Sequence, residues 1–233
     1  MAFTILYQDE NLVAINKPAG FHVHPPEYRP EKVPRNKIVL QQLRNQLGQR
    51  LYPVHRLDVA TAGVLLMALN SETAGRLCKQ FQENQVQKTY WAIVRGYLPA
   101  EGVIDLPLES DSTDTLLECQ TQYKTLQQLE LPYSVGKKYP TARYSWIEVQ
   151  PKTGRFHQIR RHMNRIAHPI LGDCEHGDSH HNRFFRETLK ISGLCLTARE
   201  LRITCPTKQE ELIISAPMSF KWKKIERLFK EQK

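Results

Sequence analysis

Asp58 ends the stretch Pro53-Val54-His55-Arg56-Leu57-Asp58, just ahead of the small residues Val59 to Gly63 and the apolar run Val64-Leu65-Leu66-Met67-Ala68-Leu69. Four to eight apolar residues between turn signals suit a buried strand, so the carboxylate sits in a short loop at the strand's edge. A carboxylate half withdrawn from water is costly unless a cation or hydrogen bonds compensate. Asp58 therefore either caps its own turn, as Asp commonly does, or is a reactive group that needs a cationic neighbour. Arg160 is the second residue of interest. Phe156, Ile159, Met163 and Ile166 step by three, four and three residues, which predicts a helix over 155–168 with an apolar stripe toward the core. Arg160 lies at the edge of that stripe and can reach inward. Arg161 and Arg165, four apart, form a separate basic face that is either solvated or in contact with a polyanion.

Other chemistries find no support in the sequence. There is no Walker loop, Rossmann glycine pattern or Ser-His-Asp constellation. His22 and His24 share one face of an extended piece, but no third ligand accompanies them. The run Cys174-Glu175-His176-Gly177-Asp178-Ser179-His180-His181 holds many ligand types, yet no second cluster stands at a structural-zinc spacing, so no metal is expected. The five cysteines form no CxxC pair and read as reduced thiols. Thirty-three Lys and Arg against 24 Asp and Glu give a formal charge of +9, which favours a polyanionic partner. No apolar run is long enough to span a membrane and no signal peptide is evident, so the expectation is a cytoplasmic protein without a membrane partner. What remains is a reaction without cofactor, built on one carboxylate and an arginine.

Four motifs, in order along most of the chain, carry a resemblance. They are Asn16-Lys17-Pro18-Ala19-Gly20, the His55-Arg56-Leu57-Asp58 loop, Lys88-Thr89-Tyr90-Trp91-Ala92-Ile93-Val94-Arg95-Gly96, and Thr153-Gly154-Arg155-Phe156-His157-Gln158-Ile159-Arg160. With these the chain resembles the RluA family of pseudouridine synthases. The resemblance implies an α+β pseudouridine synthase fold, with a long, mostly antiparallel mixed sheet flanked by helices and a central cleft. It implies Asp58 as the nucleophile, adding to ribose C1' or uracil C6, and Arg160 as the arginine that pairs with it. It makes Tyr90 the ring that supports the uracil and Arg56 the residue that assists base flipping, with Arg155 and Arg161 as further RNA contacts. The expected partner is tRNA, with a T-stem uridine as target, and the expected cofactor is none, neither metal nor nucleotide. That branch of the family is suggested by Lys138-Tyr139-Pro140-Thr141-Ala142-Arg143-Tyr144, by Pro151-Lys152-Thr153-Gly154-Arg155 and by His176-Gly177-Asp178 with Asn182-Arg183. A synthase acting on ribosomal RNA, or a non-catalytic protein that grips and melts tRNA, remain alternatives. Many relatives continue from the aspartate as Arg-x-Thr-Ser-Gly, whereas this chain has Val59-Ala60-Thr61-Ala62-Gly63.

The elements that must hold these residues follow from periodicity. Phe3 to Tyr7 and Leu12 to Asn16 read as strands around a turn, and Ile38 to Leu47 reads as a helix stopped by Gly48. Ser71 is expected to cap a helix running to about Asn84. Gln87 to Tyr97 alternates, placing Tyr90, Ala92 and Val94 on one face and Trp91, Ile93 and Arg95 on the other. Ala142 to Val149 alternates as well, and strands near Leu194 to Thr204 and Leu212 to Ser215 follow. Pro25 to Lys37, with four prolines and six charged residues, predicts an exposed arm whose Arg29, Lys32, Arg35 and Lys37 touch phosphates. The expected organisation is a catalytic domain over 1–218 without an S4 domain, acting as a monomer, and a basic amphipathic tail over 219–233 in which Trp222, Ile225 and Phe229 share a face.

Overall fold

The computed structural model describes residues 2–25, 33–110, 113, 115–136 and 139–231. Arg29, Lys32, Lys137 and Lys138 therefore lie outside the described residues, and with them part of the phosphate-binding expectation for the 25–37 arm. In chain order the elements are β1 (Thr4–Gln8), β2 (Leu12–Lys17), α1 (Val39–Leu47), β3 (Tyr52–Pro53), β4 (Ala62–Ala68), α2 (Ser71–Gln82), β5 (Gln87–Arg95), β6 (Glu101–Asp105) and β7 (Leu108–Glu109). They continue as β8 (Leu116–Leu117), β9 (Gln120–Leu131), β10 (Ala142–Pro151), α3 (Gln158–Arg165), α4 (Ser179–Glu187), β11 (Leu196–Thr204), β12 (Glu211–Ser215) and α5 (Phe220–Lys230). The chain divides into two compact units, residues 1–88 with 197–216, and residues 89–196 with 217–233. Among the described residues strands outnumber helices in both, with no regular βα alternation along the chain, as suits an α+β fold.

In the first unit β4 is the central strand. It pairs antiparallel with β2 from Leu12↔Ala68 to Lys17↔Gly63, and on its other edge with β3 at Tyr52↔Ala68 and Pro53↔Met67. Near its start it runs parallel to β11 at Thr197↔Ala62 and Ala198↔Gly63. Gly63 is required there: its φ is +115°, and a Cβ would lie 2.1 Å from the Ala198 carbonyl oxygen. Leu12, Ala14, Val64, Leu66, Leu77, Leu201 and Ile214 form the core, with α2 covering one side. Asn70, rather than Ser71, caps α2, because its side-chain oxygen accepts the Thr73 N–H at 2.9 Å.

The second unit is an antiparallel array in the order β5-β10-β9-β6, with β7 and β8 as a separate hairpin. Alternation along β5 separates two cores. Ala92 and Val94 pack with Ile147, Val149, Ile159 and Met163, and Tyr90 lies against that group. Trp91 and Ile93 belong to the opposite group, where Trp91, Trp146 and Trp222 meet at ring-centroid distances of 5.3, 5.9 and 5.7 Å. Trp222, Ile225 and Phe229 of α5 are buried in this aromatic core. Among the described residues no helix is long and apolar enough to cross a membrane.

Candidate active site

The loop that carries Asp58 is pinned from three sides within the first unit. After β3 ends at Pro53, the imidazole of His55 takes the place of a strand partner: its Nε2 accepts the Leu66 N–H of β4 at 2.9 Å. The ring also stacks on Phe81 of α2, with centroids 4.7 Å apart and planes within 16°. An Nε2 that accepts cannot carry a proton, so this geometry demands neutral histidine. Burial, aided by the nearby Lys88 ammonium, pushes the His55 pKa down to about 3. Leu57 is buried beyond the exposed Arg56, and the Thr61 N–H closes the turn on the Asp58 carbonyl at 3.1 Å.

The third anchor is Lys17, at the end of β2. It is fully buried, and its ammonium donates to the carbonyls of Phe21 at 2.9 Å, Pro18 at 3.2 Å and Val59 at 3.4 Å. The Gly20 N–H reaches the same Val59 carbonyl at 2.7 Å. The Asn16 to Gly20 motif thus grips the residue that follows Asp58. Desolvation lowers the Lys17 pKa to about 8, against the opposing pull of the Asp58 carboxylate. His22 is likewise lowered, by burial first and then by Lys17, His24 and Arg56. Neither histidine is engaged as a paired ligand: His22 bridges its backbone to Ile38, and His24 Nδ1 contacts the Pro25 carbonyl at 2.9 Å. Beyond its place in the Asn16–Gly20 motif, nothing in the sequence marks Lys17 as an anchor, since a lysine reads by default as a surface residue.

In the second unit the helix predicted over 155–168 is shorter. It begins at Gln158 because His157 adopts a left-handed conformation, φ 49°, and turns the chain before it. Phe156 is consequently 45% exposed and stacked on His157 instead of completing the apolar stripe, which keeps Ile159 and Met163 buried. Gln158 holds the turn with a saturated side chain. Its Oε1 accepts from Thr153 Oγ1 at 2.7 Å and the Arg155 N–H at 3.0 Å, and its Nε2 donates to the Gln120 carbonyl and Thr121 Oγ1, both at 3.0 Å.

Arg160 is 4% exposed, and two of its donors are taken by Asp173: Nε to Oδ2 at 2.7 Å and Nη2 to Oδ1 at 2.8 Å. Burial would raise the Asp173 pKa, but the Arg160 fork and the N–H groups of His176 and Glu175 outweigh it and hold the carboxyl below the usual range. Glu175 reaches Arg160 Nη2 with one oxygen at 3.4 Å and His157 Nδ1 with the other at 3.3 Å, while His157 Nδ1 also meets His176 Nε2 at 3.2 Å. His157, Glu175 and His176 thus gather three ligand-type atoms within 4.8 Å of one another. Arg161 and Arg165 each commit one donor within the fold. Their Nη1 groups donate to the Glu109 carbonyl at 2.9 Å and the Pro107 carbonyl at 2.6 Å, tying α3 to the β7 strand region. Arg155 lies exposed at the start of the same turn, its Nε 3.4 Å from the Glu118 carbonyl.

His176-Gly177-Asp178 and Asn182 also acquire a physical reading. Asp178 caps α4 by accepting the His180 and His181 N–H groups and pairs with Arg95 of β5. Asn182 accepts the Gly172 N–H at 2.7 Å and donates to the Asp173 carbonyl at 2.7 Å. Gly177 is obligatory, since a Cβ there would stand 2.1 Å from the Asp173 carbonyl oxygen. The segment frames Asp173.

Arg56 shares the pinned loop of Asp58, Tyr90 lies on β5, Arg160 and Arg161 lie on α3, and Arg155 lies in the turn before it. A family model described as RNA pseudouridylate synthase matches residues 11–165. The chain belongs to this family. It is 45% identical over 239 residues to tRNA pseudouridine synthase C of Pasteurella multocida (strain Pm70), covering 98% of this chain and 97% of the relative. It is 44% identical to tRNA pseudouridine synthase C of Vibrio parahaemolyticus serotype O3:K6 (strain RIMD 2210633), over 95% of this chain and 92% of that one. Among solved structures, Human RNA Pseudouridylate Synthase Domain Containing 4 superposes with a TM-score of 0.73 at 26% identity, covering 97% and 92% of the two chains. Human RNA Pseudouridylate Synthase Domain Containing 1 gives the same TM-score at 25% identity, over 94% and 84%. The RluA-family resemblance and the α+β expectation are both borne out.

Proposed function

We propose that this protein isomerises a uridine of tRNA, in the T-stem, to pseudouridine. The observation that carries the reading is the Asp58 loop, held by His55 on β4 and by Lys17 at Val59, so that the backbone presenting the carboxylate is fixed. The near full-length likeness to proteins named for tRNA supports the substrate. In the reaction the bond from ribose C1' to uracil N1 breaks, the base turns, and C5 bonds to C1'; the C5 proton leaves and N1 takes one up. No oxidant, reductant or group donor is needed.

Asp58 is the nucleophile of this reading and adds to ribose C1' or to uracil C6. A carboxylate must stay ionised to attack, and Arg160 is its cationic partner, with a planar guanidinium suited to carboxylates. Extruding the uridine costs about a few kcal/mol. Arg56, exposed two residues before Asp58, fills the vacated stack, and Tyr90 supports the base, stacking being worth about 1–3 kcal/mol. Arg155 and Arg161 meet phosphates. Action as a monomer in the cytoplasm belongs to the same proposal. The test is tritium release from tRNA transcripts carrying 5-tritiated uridine, beside an identically labelled ribosomal RNA. Release from tRNA alone supports the reading, release from ribosomal RNA alone moves the substrate to the rival class, and tight salt-sensitive binding with no release assigns the protein to RNA folding.

A further inference from the structure

We infer that Asp173 is the positioning residue of Arg160: the buried fork between them fixes the plane of the guanidinium and so the direction in which its remaining N–H groups point. The inference rests on the reading in which Arg160 serves the reacting carboxylate. Asp173 has a fully buried side chain and Arg160 a 4% exposed one. A buried ion pair of this kind is weak evidence for stability, because desolvating two charges offsets most of their attraction, and a well-packed apolar pair often serves as well. What the pair does supply is direction. With Nε and Nη2 both engaged, the guanidinium cannot rotate about its last bond without losing two charge-assisted bonds at once.

The surroundings make Asp173 a fixed post rather than a flexible partner. Oδ1 also accepts the backbone N–H groups of Glu175 and His176, each at 3.0 Å. The Asp173 carbonyl is held by Asn182 and crowded by Gly177. At the other end, α3 is held to β9 by the saturated Gln158 amide. Two independently anchored segments therefore meet at this fork, its two short bonds flanked by the longer Glu175 contacts to Arg160 and His157 and by the His157–His176 contact. If it served merely to fasten the 172–176 turn to α3, its removal would lower stability and leave turnover per folded molecule unchanged. A role in aiming Arg160 instead shows in kcat, since a misplacement near 1 Å is enough to cost about a hundredfold.

The experiment is a double-mutant cycle on single-turnover tritium release from tRNA, with Asp173→Asn, Arg160→Lys and the double variant, each compared at equal folded fraction by near-ultraviolet circular dichroism. Asparagine keeps an oxygen for the two backbone N–H groups and removes the charge facing Nε. The expected result is a fall in kcat of about a hundredfold for Asp173→Asn with KM within about threefold of wild type. Arg160→Lys cannot span both oxygens, so the double variant should be no slower than Arg160→Lys alone, within about twofold. Should Asp173→Asn fail to fold, Asp173→Glu, which keeps the charge but displaces the fork, takes its place in the same cycle. Turnover equal to wild type, or effects of the two positions that multiply, would overturn the inference while the function stood. A wild-type enzyme that releases no tritium would remove the functional reading itself.

Discussion

Replacing His55 with phenylalanine isolates the imidazole that substitutes for a strand partner on β4. Phenylalanine keeps the stacked ring against Phe81 and deletes the acceptor, leaving the Leu66 N–H unpaired in the core at a cost of about 1–3 kcal/mol. Its dependence on pH is the sharper test. Folded His55 titrates near 3 and an unfolded histidine near 6.5, so the unfolded chain binds the extra proton between those values. Wild-type stability from this residue is therefore complete above about pH 6.5 and is lost as pH falls through the window. By pH 5 the loss is about 2 kcal/mol, from RT ln(1 + 10^1.5), whatever the folded value, provided it stays well below 5. Phenylalanine has no proton to bind, so the gap between wild type and variant should be about 1–3 kcal/mol at pH 7.5 and shrink toward zero near pH 5. Urea denaturation followed by tryptophan fluorescence at both pH values measures it. A gap that stays constant between them would refute the neutral, buried acceptor, and no gap at pH 7.5 would refute the strand-partner role.

Two further predictions concern cations. Lys17→Met removes a buried ammonium whose folded pKa, about 8, lies below the ordinary lysine value of 10.5. Between those values the unfolded chain holds the extra proton, so wild-type stability rises with pH and the variant's does not. The difference between them should move in favour of wild type by about 2.5 kcal/mol from pH 7 to 10, and a flat difference would mean Lys17 is not desolvated as described. Arg161→Glu should weaken tRNA binding and flatten the dependence of log K on log salt by about one to two, with a smaller stability loss from the broken tie to the Glu109 carbonyl. Affinity unchanged across salt would assign Arg161 to that structural tie alone.

The parts of this protein that were readable in its sequence are those in which a side chain's neighbours are local. Alternation in Gln87 to Tyr97 correctly separated Tyr90 from Trp91, because the two faces of β5 meet different cores. Gly48 ends α1 in the left-handed conformation that its position predicted. Asp58 was marked by its loop and its motif. The misses come from long-range partners. Arg160 was seen at the edge of an apolar stripe, but the carboxylate that holds its fork sits 13 residues on, brought back by a turn that Gly177 and Asn182 shape. The sequence marks His55 only as one residue of the His55–Asp58 motif; its role depends on β3 ending at Pro53 and leaving the Leu66 N–H open. Helical spacing extended α3 back to Phe156, since periodicity does not register the single left-handed residue His157. The ties of Arg161 and Arg165 to backbone carbonyls carry no sequence signature either.

The measurement that most directly tests the central claim is tritium release from 5-tritiated tRNA by wild type and Asp58→Asn at equal folded fraction. Asparagine preserves size and the turn closed on the Asp58 carbonyl while removing the ionised carboxylate. Stoichiometric release by wild type and none by Asp58→Asn is the predicted result. Release by the variant at a rate near wild type would contradict it and return Asp58 to the part of a turn residue.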